Sequence, residues 1–246
     1  MCANEIPDIC NADVVLNTKE ELNLDVSFSK SLNLNEDLRA IKRKLLLEAF
    51  GGEGRNKNRV MVTSIHEKEG KTFCALNLAR SIALEKNKHV LLVDTNVVNS
   101  SLSRMVKTSD GEDVSGSGLI DYLNNPKIGV PSLIRKVENE NLKIITVGKE
   151  NQLANELLCG HVMLDLLDEF RDRYSDRLVI FDAPPLNGVN EAMNLSQSVD
   201  QIIIVIENGR VKSKEILHIK KLLPAGVRVH FLLNKALDVK KWKRGN

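Results

Sequence analysis

Val62 to Glu85 reads "VTSIHEKEGKTFCALNLARSIALE". An apolar stretch runs into a polar turn, then Gly70-Lys71-Thr72, then a segment with helical spacing. A glycine-lysine-threonine turn between a strand and a helix is the setting that a nucleotide-phosphate loop requires. At a helix start the unpaired N–H groups and the positive end of the helix dipole favour phosphate oxygens. In that reading Gly70 lets the backbone approach, Lys71 reaches the β- and γ-phosphates, and Thr72 offers its hydroxyl to Mg2+. The full pattern G-x-x-x-x-G-K-T wants glycine at position 65, where this chain has Ile65, and Glu67, Lys68 and Glu69 replace the usual small residues. On the local sequence alone the segment reads equally as a capped helix with a solvated lysine.

Two carboxylates at strand ends weigh between these readings. "VLLVD" ends at Asp94 and "LVIFD" ends at Asp182. In an open parallel sheet, ligands sit beyond the carboxyl ends of the strands, so both aspartates are expected on the edge that carries residues 70–72. Mg2+ takes one or two carboxylates together with water and phosphate oxygens. Lys71, Thr72, Asp94 and Asp182 match that demand, with Thr72, Asp94 and Asp182 on the metal side. A lone strand-end aspartate is commonly a cap or turn residue, and the nucleotide reading rests on the combination.

Outward from this stretch, apolar runs alternate with helical segments. Residues 59–64, 89–94, 142–147, 177–182, 201–206 and 227–234 read as strands, with helical patterns near 71–87, 152–173, 190–198 and 211–223. Several runs are continuously apolar, as in strands buried on both faces of a parallel sheet. Strand and helix in repetition predict an α/β fold with a doubly wound, mostly parallel sheet. Before it, "NEDLRAIKRKLLLEAF" places Leu38, Ile41, Leu45 and Leu46 on one helical face, with Asn35 as its N-cap. Residues 1–34 read as a poorly ordered leader, 35–238 as a single domain, and 239–246 as a basic tail. The region 100–141 reads as a variable loop holding a short helix, "GLIDYLNN".

Composition narrows the function classes. The net charge of +2 and the 4% aromatic content argue against a nucleic-acid partner. Cys2, Cys10, Cys74 and Cys159 show no ligand spacing and read as free thiols in a reducing compartment. No apolar run approaches the roughly 18 residues of a membrane span. The expected location is cytoplasmic, and Lys240, Lys241, Trp242, Lys243 and Arg244 read as a solvated end that could touch an anionic membrane surface.

The order of motifs resembles a known group. A phosphate loop (69–72), "LLVDTN" (91–96), "VIFDAPP" (179–185) and "LLNK" (232–235) look like the P-loop NTPases of the septum-positioning and chromosome-partitioning class. Within it, "EDLRAIKRKLL", "GLIDYL", "NELL" and "RYSDRLVIFDAPPL" resemble the bacterial tyrosine kinases of exopolysaccharide synthesis, of the exosortase-associated type. The resemblance covers about residues 35–236. It implies ATP and Mg2+ as cofactors, phosphoryl transfer to tyrosine, and Lys71, Asp94 and Asp182 as catalytic residues. It implies Glu69, Gly70, Lys71, Thr72, Phe73 and Asn234 as nucleotide contacts, with Asn234 at the adenine. Glu36, Arg39 and Lys42 resemble the E-x-x-R-x-x-R helix that packs subunits into a ring, here ending in Lys. A membrane polysaccharide chain-length determinant protein is the implied partner, which would place the chain peripherally at the inner face of the membrane.

Three departures bear on activity. The second motif usually reads D-x-D-x-R, whereas this chain has Asn96 for the second carboxylate and Val98 for the arginine. Phosphoryl transfer depends on positioning and charge stabilisation, so such a site can bind ATP and transfer slowly. The family's C-terminal tyrosine cluster has no counterpart, since the tyrosines here are Tyr122 and Tyr174. Tyr174 reads as structural and Tyr122, in the loop region, as the better acceptor candidate. In the loop, Glu67 and Lys68 replace Pro-Gly, and His66 stands where partitioning ATPases carry a trans-acting lysine. The expectation is therefore a tyrosine kinase or, alternatively, a catalytically weakened ATP-dependent assembly subunit, with a partitioning ATPase disfavoured.

Overall fold

The computed structural model describes residues 14–15, 38–52, 56–105, 116–137 and 141–235. Asn35, Glu36, the tail 239–246 and all of the expected leader except Val14 and Val15 lie outside them. In chain order the elements are β1 (Val14–Val15), α1 (Arg39–Phe50), β2 (Arg59–Ser64), α2 (Lys71–Ala83) and β3 (His89–Asp94). Then come α3 (Ser101–Met105), α4 (Leu119–Asn124), β4 (Arg135–Lys136), β5 (Leu142–Ile145), α5 (Ala154–Cys159) and α6 (His161–Asp172). The chain continues through β6 (Arg177–Asp182), α7 (Asn190–Ser196), β7 (Gln201–Glu207), α8 (Ser213–Leu222) and β8 (Arg228–Asn234).

The strands form one sheet in the order β1-β8-β7-β2-β6-β3-β5-β4, parallel throughout except for the β4–β5 pair. From β2, the strands β3 and β5 lie to one side and β7 and β8 to the other. The loop after β2 therefore leaves the sheet where its winding reverses, the place where open α/β sheets bind ligands. Successive side chains of a strand point to opposite faces, and both faces here are covered. Val60, Val62, Leu92, Ile180 and Ile203 join α1 and α2 in one core layer. Met61, Leu91, Val93, Phe181 and Ile204 join α4 to α8 in the other. The doubly wound, mostly parallel α/β fold expected from the sequence is the fold observed.

Differences lie at element ends and in the variable region. The run 142–147 stays in the sheet only to Ile145, because the carbonyls of Thr146 and Val147 accept from Leu119 and Ile120 N–H at the start of α4. The helical pattern 152–173 breaks into α5 and α6 at Gly160, whose backbone is extended (φ −78°, ψ 166°); glycine is among the weakest helix formers. The pattern 71–87 stops at Ala83, and Asn87 adopts a left-handed φ of 63° in the following turn. In α1, Leu38, Ile41, Leu45 and Ala49 are buried while Leu46 is half-buried. The variable region holds α3 and β4 in addition to the expected short helix.

Candidate nucleotide-binding site

The phosphate-loop stretch folds as strand, turn and helix, with α2 beginning at Lys71. Gly70 takes a left-handed backbone (φ 92°, ψ 21°), and a Cβ there would collide with Asn234 Nδ2. Both facts demand glycine. No side chain caps α2, so the donors of its first turn are available to an anion.

The loop's unusual charges are accommodated individually. Glu69 is fully buried and turned inward, where its carboxylate accepts from His66 N–H (2.7 Å) and Glu207 N–H (3.3 Å). Asn234 Nδ2 donates to the Glu69 carbonyl (2.9 Å) and Lys235 Nζ to the Lys68 carbonyl (3.0 Å). Lys68 has a left-handed φ of 63°, a conformation costing a non-glycine residue about 1–2 kcal/mol. The ends of β7 and β8 thus hold the loop in a shape that glycine and small residues give more cheaply elsewhere. Asn234, expected at the adenine, is buried here with its amide bracing the loop.

Asp94 and Asp182 are register partners on adjacent strands β3 and β6, and both are fully buried. Asp94 Oδ1 accepts from Asn96 N–H (3.1 Å), and its Oδ2 accepts from Ser103 N–H (2.9 Å) and Ser103 Oγ–H (2.7 Å). Ser103 Oγ in turn accepts from Val147 N–H (2.9 Å). Neither oxygen of Asp182 has a hydrogen-bond partner. Burial pushes the Asp182 carboxyl well above the usual carboxylate range and the Asp94 charge pushes it further, while the Thr72 hydroxyl and Lys71 ammonium offset part of this. Burial also raises Asp94, against the pull of Ser103, Asn96 and Lys71. Lys71 is 6% exposed and close enough to influence both acids. Beneath them, burial drives the Cys74 thiol far up, so it stays protonated.

A buried carboxylate without partners, beside a hydroxyl at an uncapped helix start, is incomplete as a structural device. It fits a hydrated Mg2+ bound to phosphate oxygens. Among the described residues no three His, Cys, Asp or Glu side chains converge on a metal position. A cation held there would take its other ligands from water and phosphate oxygens, as Mg2+ prefers. Next to Lys71 a cleft of about 70 Å3 is lined by Asn96, Val98, Asn155, Pro185 and Glu191 among others.

The other expected residues divide. Phe73 is half-buried against the α1–α2 core layer. Arg39 is exposed on α1, whereas Lys42 ties α1 to α2 through Glu85 (2.9 Å) and the Ser81 carbonyl (3.1 Å). His66 pairs with Glu215 of α8 at 2.8 Å. Tyr122 lies in the short helix expected within the variable region, now α4, but is only 8% exposed, because α4 packs its apolar side on the core. Ser103 and Glu207 went unnoticed in the sequence, where no motif marks them, and Lys235 was noticed only as the end of the "LLNK" run, with no role; each acts across a fold-dependent distance.

Residues 61–238 match the AAA domain family, which is more than half of the chain. The chain belongs to the AAA domain family. Within that framework this AAA domain is similar to the tyrosine-protein kinase Etk of Escherichia coli (strain K12), at 29% identity over 79% of the chain. It is also similar to the tyrosine-protein kinase YwqD of Bacillus subtilis (strain 168), at 28% identity over 79% of the chain. It spans 25% of the length of Etk and 76% of that of YwqD. Among solved structures, the VpsO kinase domain superposes with a TM-score of 0.68 at 27% identity, covering 83% of this chain and 95% of that one. The resemblance to bacterial tyrosine kinases read from the motifs is borne out. No helix among the described residues is long and apolar enough to cross a membrane.

Proposed function

We propose that this AAA domain binds Mg-ATP and acts as a protein-tyrosine kinase in exopolysaccharide synthesis or export. The observation that carries the reading is the convergence of Lys71, Thr72 and Asp182 at one uncapped helix start, with both Asp182 oxygens unpartnered. Lys71 and the α2 N–H groups would bind the β- and γ-phosphates, with Glu69, Gly70 and Phe73 contributing backbone and Asn234 shaping the loop near the base. Thr72 and Asp182 would hold the cation, with Asp94 beside them. Mg2+, when bound, would supply positive charge to the phosphate oxygens and to the negative charge that develops during transfer. Asp94 would orient the tyrosine hydroxyl.

A second reading is favoured by a specific observation: three hydrogen bonds already hold Asp94, and Asn96 and Val98 bring no charge to the site. In that reading the protein is an ATP-dependent assembly subunit of weakened catalysis. Both readings have it meet a membrane chain-length determinant protein, at the cytoplasmic face, and self-associate through Glu36, Arg39 and Lys42. The internal Lys42–Glu85 pair leaves Arg39 as the freer contact of the two described residues. Incubation with Mg-ATP, followed by phosphotyrosine detection beside Lys71→Ala, tests the choice. A signal dependent on Lys71 supports the kinase; ATP binding without transfer to any candidate partner supports the assembly subunit.

A further inference from the structure

The chain has two tyrosines, and the fold places both in its core. Tyr122 is 8% exposed and Tyr174 9% exposed. The Tyr174 ring meets Phe170 edge-on at 5.7 Å and lies under the Arg177 guanidinium at 5.1 Å. Tyr122 is one of four buried residues of the short helix α4. Most of each ring is thus committed to packing, and neither tyrosine lines the cleft beside Lys71, where an acceptor segment would sit.

The cleft beside Lys71 says what that acceptor segment looks like. Its apolar walls come from Val97, Val98, Leu158, Pro184, Pro185 and Val189. Apart from Lys71, its charged lining residues are Glu67, exposed on the loop, and Glu191, half-buried in the first turn of α7. Val98, which is 78% exposed, brings no cation to balance them. Lys71 is buried and close enough to Asp94 and Asp182 to act on both. An approaching peptide thus meets two negative charges on apolar walls.

We propose that the acceptor tyrosine is flanked by cationic side chains, with Glu67 and Glu191 as specificity-determining residues. This rests on the kinase reading above. In the transfer the tyrosyl oxygen forms a bond to the γ-phosphorus, and the bond from that phosphorus to the β–γ bridging oxygen breaks. That bond's electron pair leaves with ADP, and the phenolic proton passes to solvent.

The test uses the full chain with Mg-ATP and three synthetic peptides that differ only in the residues beside a single tyrosine: lysine, serine or glutamate. Phosphotyrosine formation is measured for each against Lys71→Ala, with nucleotide affinity followed separately by a fluorescent ADP analogue. The lysine-flanked peptide is expected to have about tenfold the kcat/KM of the glutamate-flanked one, the size of effect that charge complementarity at a rim produces. Glu191→Lys, outside the phosphate loop, is expected to abolish or invert that preference, Glu191→Gln to halve it roughly on a logarithmic scale, and Glu67→Lys to act in the same direction. Equal labelling of all three peptides, a preference for glutamate, or a lysine preference surviving both charge reversals overturns the proposal while the kinase reading stands. Nucleotide binding with no peptide labelled overturns the kinase reading itself, and the acceptor proposal with it.

Discussion

Asp182→Asn isolates what it costs to keep a second acid beside Asp94. In the free protein the Asp182 carboxyl is fully buried, neither oxygen is hydrogen-bonded, and the Asp94 charge acts on it. Its proton is therefore held more tightly in the folded chain than in the unfolded one. Below the ordinary carboxylate range, about pH 4, both states carry the proton and nothing is lost. Between that range and the raised native value the folded state binds more protons, so stability falls as pH rises, by about 1.4 kcal/mol per pH unit for one proton. Above the native value the loss is complete and constant. Relaxation and water entry reduce the ideal figure, leaving about 3 kcal/mol lost near pH 8. Asparagine does not titrate, but its buried amide costs about 1 kcal/mol for its own unpaired groups. The variant is therefore expected to be more stable than the wild type by about 2 kcal/mol near pH 8, and slightly less stable near pH 4. For a chain of this size that is a gain of about 4–8 °C in Tm. Thermal denaturation with EDTA and no nucleotide, scanned over this pH range, measures it. With Mg-ATP at about 100 times its Kd the wild type gains about 2.7 kcal/mol and the order reverses, because the variant lacks the metal-side carboxylate. A difference between variant and wild type that does not change with pH would refute the reasoning.

Three other substitutions probe the scaffold of the site. Gly70→Ala forces a side chain into a left-handed backbone and against the Asn234 amide; a loss of about 2–3 kcal/mol is expected, together with weaker nucleotide binding by calorimetry. Ser103→Ala removes a hydrogen bond to Asp94 and leaves Val147 N–H without its acceptor; urea denaturation is expected to show a loss of about 1–3 kcal/mol. Leu45→Ala, in the fully buried seam of α1, is expected to cost about 2–5 kcal/mol in the same assay, with the affinity for the ADP analogue unchanged.

How much of this was legible in the chain varies with the distance over which each feature acts. The continuous apolar runs at Val60–Val62 and Leu178–Phe181 lie in contiguous residues, and burial on both faces follows from their continuity. The strand-loop-helix reading of 62–85 is local in the same way, and so is the placing of Asp94 and Asp182 at strand ends. Even there the sequence left open how a loop reading Glu67-Lys68-Glu69 could close. That is decided by Glu69, which turns inward to an N–H contributed from 138 positions away, and by Asn234, which reaches the loop across 165. The burial of Tyr122, the capture of Asp94 by Ser103 and the internal pairing of Lys42 are of the same kind. Periodicity is written in neighbouring residues because it reflects the geometry of one element against solvent and core. Pairings between elements exist only once the sheet has closed and brought their ends together, so tertiary structure alone chooses which donor meets which acceptor, and which oxygens of Asp182 are left for a ligand.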